Sequence, residues 1–288
     1  MRTKRTCIPI VLAALLSVAC TGAATPAATA SSTPSTQAPS QAVSWPVPAN
    51  ATASAQVSLR ATSSPQATDQ PRAVGYPTPE EAVRQYLAAV AQTNVDGILQ
   101  ASAIDETGEG FHFDLFVDRL KAMMLTQSLS PAEYPFYAEI NKAQQTARIL
   151  GQVRALTYSL LSTEPIEGQT IAPADKARAD AFAKSVNPAR LSDLKVIDIR
   201  FSSAPFEKNE RYLANMAALA KVYGADEMTE RVALMEFEGK YYYVRFQLLR
   251  HGGYWKVSDR VANLAPASPY GAAKPTTPED FDRMTNGD

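Results

Sequence analysis

Thiols are almost absent. The 288-residue chain holds two cysteines, Cys7 and Cys20, and both lie at its N-terminal end. Everything after Cys20 therefore lacks the means for a disulfide, a thiolate metal site or a cysteine nucleophile. Histidine is equally scarce: His112 and His251 are the whole supply, and their separation is no metal-ligand spacing. Neither a glycine-rich phosphate loop nor a nucleophile elbow is present. A formal net charge of −1 with no run of Lys and Arg removes the electrostatic basis for tracking a nucleic-acid backbone. Lys240, Arg245 and Arg250 read as charges on solvated strand faces. No metal, no cofactor and no nucleic acid are expected.

The retained cysteines mark the first feature that is present. Arg2, Lys4 and Arg5 precede an apolar run, Cys7–Ala19. That run is shorter than the about 20 residues a membrane-spanning helix needs, so it reads as the core of a signal peptide. The segment Ser17-Val18-Ala19-Cys20 resembles the bacterial lipoprotein signal, with Ser17 where an aliphatic residue is usual. The resemblance implies cleavage before Cys20 and lipid attachment to it, hence residence on the extracytoplasmic face of a bacterial membrane. Ser17-Val18-Ala19 also satisfies the small-x-small rule of ordinary secretion. Soluble export, or an uncut anchor, therefore stays open.

Residues 1–19 are thus expected to be a leader and 20–75 a tether. The tether is rich in Ala, Ser, Thr, Pro and Gln, with few large apolar groups to offset the entropy of ordering. As a flexible coil it would span about 40 Å, and drawn out in polyproline form roughly 170 Å. Trp45 is its one bulky side chain and reads as incidental.

Residues 76–265 are expected to form one globular head and 266–288 a flexible tail. The head opens on Thr78-Pro79-Glu80-Glu81, a cap followed by proline at the first helical position. Val83, Tyr86, Leu87 and Val90 follow at helical spacing. A short helix at Ile98 and a third through Phe116, Val117, Leu120, Met123 and Met124 come next, their apolar residues expected in the core. Ser130-Pro131-Ala132-Glu133 looks like a second cap, opening a long helix to about Ser162. Its expected buried face is Ile140, Ala143, Ala147, Leu150, Val153, Leu156 and Leu160, with Gly151 weakening or bending it midway.

A further helix is expected from Ala174 to Val186, after which the period changes to two. Ile197, Ile199 and Phe201 alternate with Asp198 and Arg200, a strand with one buried face. A helix from Asn209 to Tyr223 ends at Gly224. Three strands close the head: Val232–Phe237, Tyr241–Leu249 and Tyr254–Val261. Tyr242, Val244, Phe246 and Leu248 share one face, which Trp255 and Val257 can meet across the ladder. The expected class is α+β: N-terminal helices packed on a curved antiparallel sheet whose last three strands form a C-terminal meander.

The opening TPEEAVRQYLAAVAQTNVDGILQ and the closing YYYVRFQLLRHGGYWKVSD resemble the nuclear-transport-factor-two-like superfamily, which includes polyketide-cyclase-like proteins. Gly253, Tyr254, Trp255, Lys256 and Val257 carry its closing pattern. The resemblance implies a cone in which helices enter the curved sheet, leaving a pocket that Tyr242, Phe246 and Trp255 would line. The family often dimerises through the outer sheet face, although no residue here argues for a dimer. The stretch ASAIDETGEGFHFDLFVDRL resembles surface lipoproteins of unknown function and brings no activity with it.

Enzymes on such cones place an acid or base in the pocket. Asp259, on the side of Trp255 and Val257, and Tyr242 are the only candidates, and each has a plain packing explanation. His251 beside two glycines and His112 before a helix read as surface residues. Tyr241, Tyr243 and Tyr254 on the opposite face could form an aromatic recognition surface, unless helices cover that face too. Two functions remain. One is a lipid-anchored head that binds a cell-wall or protein partner without catalysis. The other is a cyclase- or isomerase-like enzyme working through Asp259 or Tyr242.

Overall fold

The computed structural model describes residues 75–126, 128–166, 175–260 and 271–287. The leader, Cys20 and the tether lie outside the described residues. The Thr78 signal forms as expected: its hydroxyl accepts the Glu81 N–H at 3.1 Å and starts α1, Pro79–Ala91. Short helices α2 (Val95–Gln100), α3 (Ile104–Gly110) and α4 (Phe113–Leu120) follow, then the long α5 (Pro135–Leu161) and α6 (Lys176–Ser185). A 3-10 turn, Pro188–Asp193, leads into β1 (Lys195–Arg200); α7 (Ala204–Glu207) and α8 (Glu210–Val222) precede β2 (Glu227–Phe237), β3 (Lys240–His251) and β4 (Tyr254–Asp259). The chain then adds β5 (Lys274–Thr276) and α9 (Pro278–Asn286).

The sheet is antiparallel in the order β1-β2-β3-β4, with β5 pairing the Tyr241–Tyr243 end of β3. The architecture is α+β, helices against an antiparallel sheet. The register puts Ala233, Met235, Phe237, Val244, Phe246 and Leu248 on one face, where they join Trp255, Val257 and the apolar stripe of α1 in the main core. Tyr86 meets Phe246 edge-on, centroids 5.6 Å apart. Tyr76 and residues 101–103 bond to the free edge of β4 and so cap an edge that could otherwise recruit another strand.

The opposite face is covered as well. Met228 and Leu249 pack against Tyr212, Met216 and Ala220 of α8. Val232 and Leu234 lie beneath Phe281 of α9, which is 0 % exposed. The C-terminal residues expected as a flexible tail are therefore, from 271 to 287, part of the fold. The reason is visible in Thr277-Pro278-Glu279-Asp280, where the Thr277 hydroxyl accepts the Asp280 N–H at 3.1 Å. Arg200 of β1 ties to Asp282 at 2.6 Å.

Three expectations about packing change. β1 carries a bulge between Val196 and Asp198, so Val196 and Ile199 face the core and Ile197 is 48 % exposed. Ser130 caps nothing; its N–H and C=O are held by the Asn141 side chain, and α5 starts only at Pro135. The buried face of α5 is Ala138, Asn141, Gln145, Ile149, Gln152, Leu156, Leu160 and Leu161: Leu156 and Leu160 are buried as expected, whereas Ile140, Ala143 and Ala147 are exposed. Its amides are placed to bond: Asn141 also reaches the Gly108 carbonyl. Hydrogen-bonding need overrides hydrophobicity in the first half of this helix.

Candidate functional site

The sequence points to the inner face beneath Tyr242, Phe246 and Trp255, and the structure fills it. Phe246 is 0 % and Trp255 6 % exposed, both within the main core, and the Tyr86 ring occupies the space against Phe246. Tyr242 is half-buried at the margin of the same core, and burial, with Glu238 adding to it, pushes its phenol pKa up. An open groove of about 450 Å³ runs beside α1, bounded by Arg84, Leu87, Gln92, Leu194 and Val196. No acid lines it.

Asp259 stands at the end of β4 with only 13 % of its side chain exposed. Arg148 of α5 approaches one carboxylate oxygen at 3.0 Å. The other accepts the Gln152 amide and the backbone N–H of Arg260, the latter at 2.7 Å. Arg148 also donates to the Ser258 carbonyl at 3.1 Å. The carboxylate thus joins α5 to the sheet. Two further residues belong here, Arg260 and the core residue Tyr86: the Arg260 guanidinium lies 5.9 Å from the Tyr86 ring centroid. Both are fully buried, and among the described residues neither the guanidinium nor the hydroxyl has a hydrogen-bond partner. The signal available in the sequence was the run Ser258-Asp259-Arg260 at a strand end, opposite the phenol of a helix stripe.

The tyrosines expected on the outer face are not a free aromatic surface. Tyr241 and Tyr243 pack against Val232, Leu234, Phe281 and Met284, leaving Tyr254 at 43 % exposure. His112 is exposed, while His251 is half-buried rather than solvated. Burial lowers the His251 pKa from its ordinary 6.5, opposed by Glu106 and Asp226. Among the described residues, no group of three or more His, Cys, Asp or Glu could hold a metal ion, and no helix is long and apolar enough to cross a membrane.

Exposed apolar groups gather elsewhere. In α4 and the turn after it, Leu115, Leu120, Met123 and Leu125 are 40 %, 42 %, 64 % and 79 % exposed. At the start of α5, Tyr134, Phe136, Tyr137 and Ile140 are 63 %, 72 %, 40 % and 41 % exposed. Leu120, Met123 and Ile140 were expected in the core, and α4 buries no residue at all. The three rings touch, with centroids 6.1 and 5.4 Å apart. Leu129 and Phe116 fold inward against Phe111 in a small satellite core that holds this stretch to α8. Asp114, Asp118, Glu133 and Glu139 stand along it with Arg119, Lys121 and Lys142, so neither sign dominates.

Comparison with known proteins adds little. No family model matches the chain, and no curated protein matches it significantly. A cystatin-like protein from Ruminococcus gnavus of known crystal structure is similar at 19 % identity and a TM-score of 0.47. The match covers 69 % of this chain and 44 % of that one, so less than half of that protein is spanned.

Proposed function

We propose that this is a lipid-anchored envelope protein whose head is a non-catalytic binding module, holding a protein partner through the exposed surface of residues 113–140. The observation that carries it is the concentration of large apolar side chains in water along that stretch, where eight of them stand exposed, while elsewhere among the described residues Val95, Ile197, Phe206, Leu213 and Tyr254 are exposed at separate places in the chain. An exposed apolar surface of this kind, interleaved with charge, is what an interaction site presents. Rigid aromatic groups such as Tyr134, Phe136 and Tyr137 are the residues from which binding energy is usually drawn. The mixed charge favours a protein over anionic lipid or an anionic wall polymer, and the aliphatic Leu115, Leu120 and Leu125 suit a protein groove better than a sugar face. Cys20 is the anchor and residues 21–75 supply the reach. The nuclear-transport-factor-two-like reading of the head rests on its sequence resemblance, and the antiparallel sheet with α1 against its inner face is compatible with it.

The enzymatic alternative asks Asp259 to exchange a proton with a substrate. Arg148, Gln152 and the Arg260 N–H already occupy both its oxygens, which supports a structural role. The test has two arms. Labelled palmitate should appear on the wild-type chain in an acylating bacterial host and vanish in Cys20→Ser. Leu125→Ser with Phe136→Ser should abolish partner co-purification from envelope membranes while leaving the melting temperature unchanged. Unaltered co-purification would exclude the surface, and an unlabelled wild-type chain would exclude the anchor.

A further inference from the structure

The end of β4 holds a charge imbalance that the proposed surface does not use. Arg148, Asp259 and Arg260 stand together, two guanidinium groups to one carboxylate, and Asp259 bonds to Arg148, Gln152 and a backbone N–H rather than to the Arg260 side chain. The Arg260 residue is 1 % exposed, and its Nε, Nη1 and Nη2 make no hydrogen bond. The hydroxyl of Tyr86, a residue 0 % exposed whose ring centroid lies 5.9 Å from that guanidinium, has no partner among the described residues either. An arginine remains protonated even when buried. Its desolvation exceeds what a cation–π contact with the Tyr86 ring can offset. Such donors are expected to find an acceptor.

We propose that Arg260 and Tyr86 form a buried site for one small carboxylate, the guanidinium fork engaging its two oxygens and the Tyr86 hydroxyl donating to one of them. A single excess positive charge calls for a monoanion, and the planar fork matches a carboxylate. The site admits only a compact ligand. Gly271, at φ +75°, lies so close that a Cβ there would stand 3.1 Å from Nη2, so bare backbone closes this side. Asp259 and Gln152 hold the Arg260 backbone and so fix where its side chain begins. The ligand class is therefore formate- or acetate-like, and its site is separate from the residue 113–140 surface.

The probe is acetate, exchanged for chloride at constant pH and ionic strength, with the full exported chain followed by thermal unfolding. Acetate should raise the melting temperature saturably. Arg260→Met should remove that dependence, and Tyr86→Phe should weaken the apparent affinity about 5- to 10-fold, as expected for one lost hydrogen bond. Should Arg260→Met fail to fold, Tyr86→Phe and a high-resolution crystal structure grown in acetate decide the matter. Planar density spanning the guanidinium supports the site. Water alone at the guanidinium, or an acetate response identical in wild type and Tyr86→Phe, overturns it.

Discussion

The inner face of the sheet and the α4–α5 edge use the same kinds of side chain in opposite surroundings. On the inner face Tyr86 and Phe246 meet edge-on out of water, in the same core as Trp255. At the edge Tyr134, Phe136 and Tyr137 meet one another in water. The inner face of the sheet is covered by the chain's own first helix, and exposed apolar area gathers at the α4–α5 edge.

Substitutions can break this contrast. Phe246→Ala should cost about 3–5 kcal/mol of stability in urea denaturation, as the loss of a fully buried ring does. Phe136→Ala should change stability by no more than about 0.5 kcal/mol. Comparable losses at the two positions would mean that the edge is a second core. Phe281→Ala should cost about 3 kcal/mol, because its ring covers Val232 and Leu234 in a face that also buries Arg245. An unchanged unfolding midpoint would mean that α9 lies on the sheet without stabilising it.

A smaller effect should follow pH. His251 is held neutral by burial, so its folded pKa lies below the unfolded one. The unfolded chain then binds the proton more readily. This contribution is present above about pH 6.5, the ordinary histidine value, and is lost as pH falls through the folded pKa. His251→Gln should flatten that part of the stability profile; an unchanged slope would place the ring in solvent. Gly151→Ala should stabilise the head by about 0.5–1 kcal/mol in the same denaturation assay, since nothing lies within 4 Å of the added methyl. A loss of stability there would mean that α5 depends on a bend at this glycine.

Much of the scaffold was legible because its signals are local. The Thr78 cap and the turn at Glu238-Gly239, with φ of 48° and 74°, follow from residues next to one another. The shared face of Val244, Phe246, Leu248, Trp255 and Val257 follows from period two. What escaped depends on partners distant in sequence. Asn141 and Gln152 look like solvent-facing residues until Ser130 and Asp259 are beside them. Ile140 and Met123 look like core because periodicity cannot say whether anything lies opposite. The α9 helix had its cap signature in plain view at Thr277, but Phe281 and Met284 alone make too thin an apolar stripe to announce burial. Arg260 escaped for the same reason: its isolation is a property of what surrounds it.

The contrast between filled interior and exposed edge is tested most directly by site-specific photocrosslinking in envelope membranes of the producing cell. A photoreactive side chain at position 136 should yield one discrete protein adduct that disappears when Leu125 is replaced by Ser. The same probe at position 241, beneath α9, should yield none. Equal adducts from both positions, or none from 136, would contradict the account.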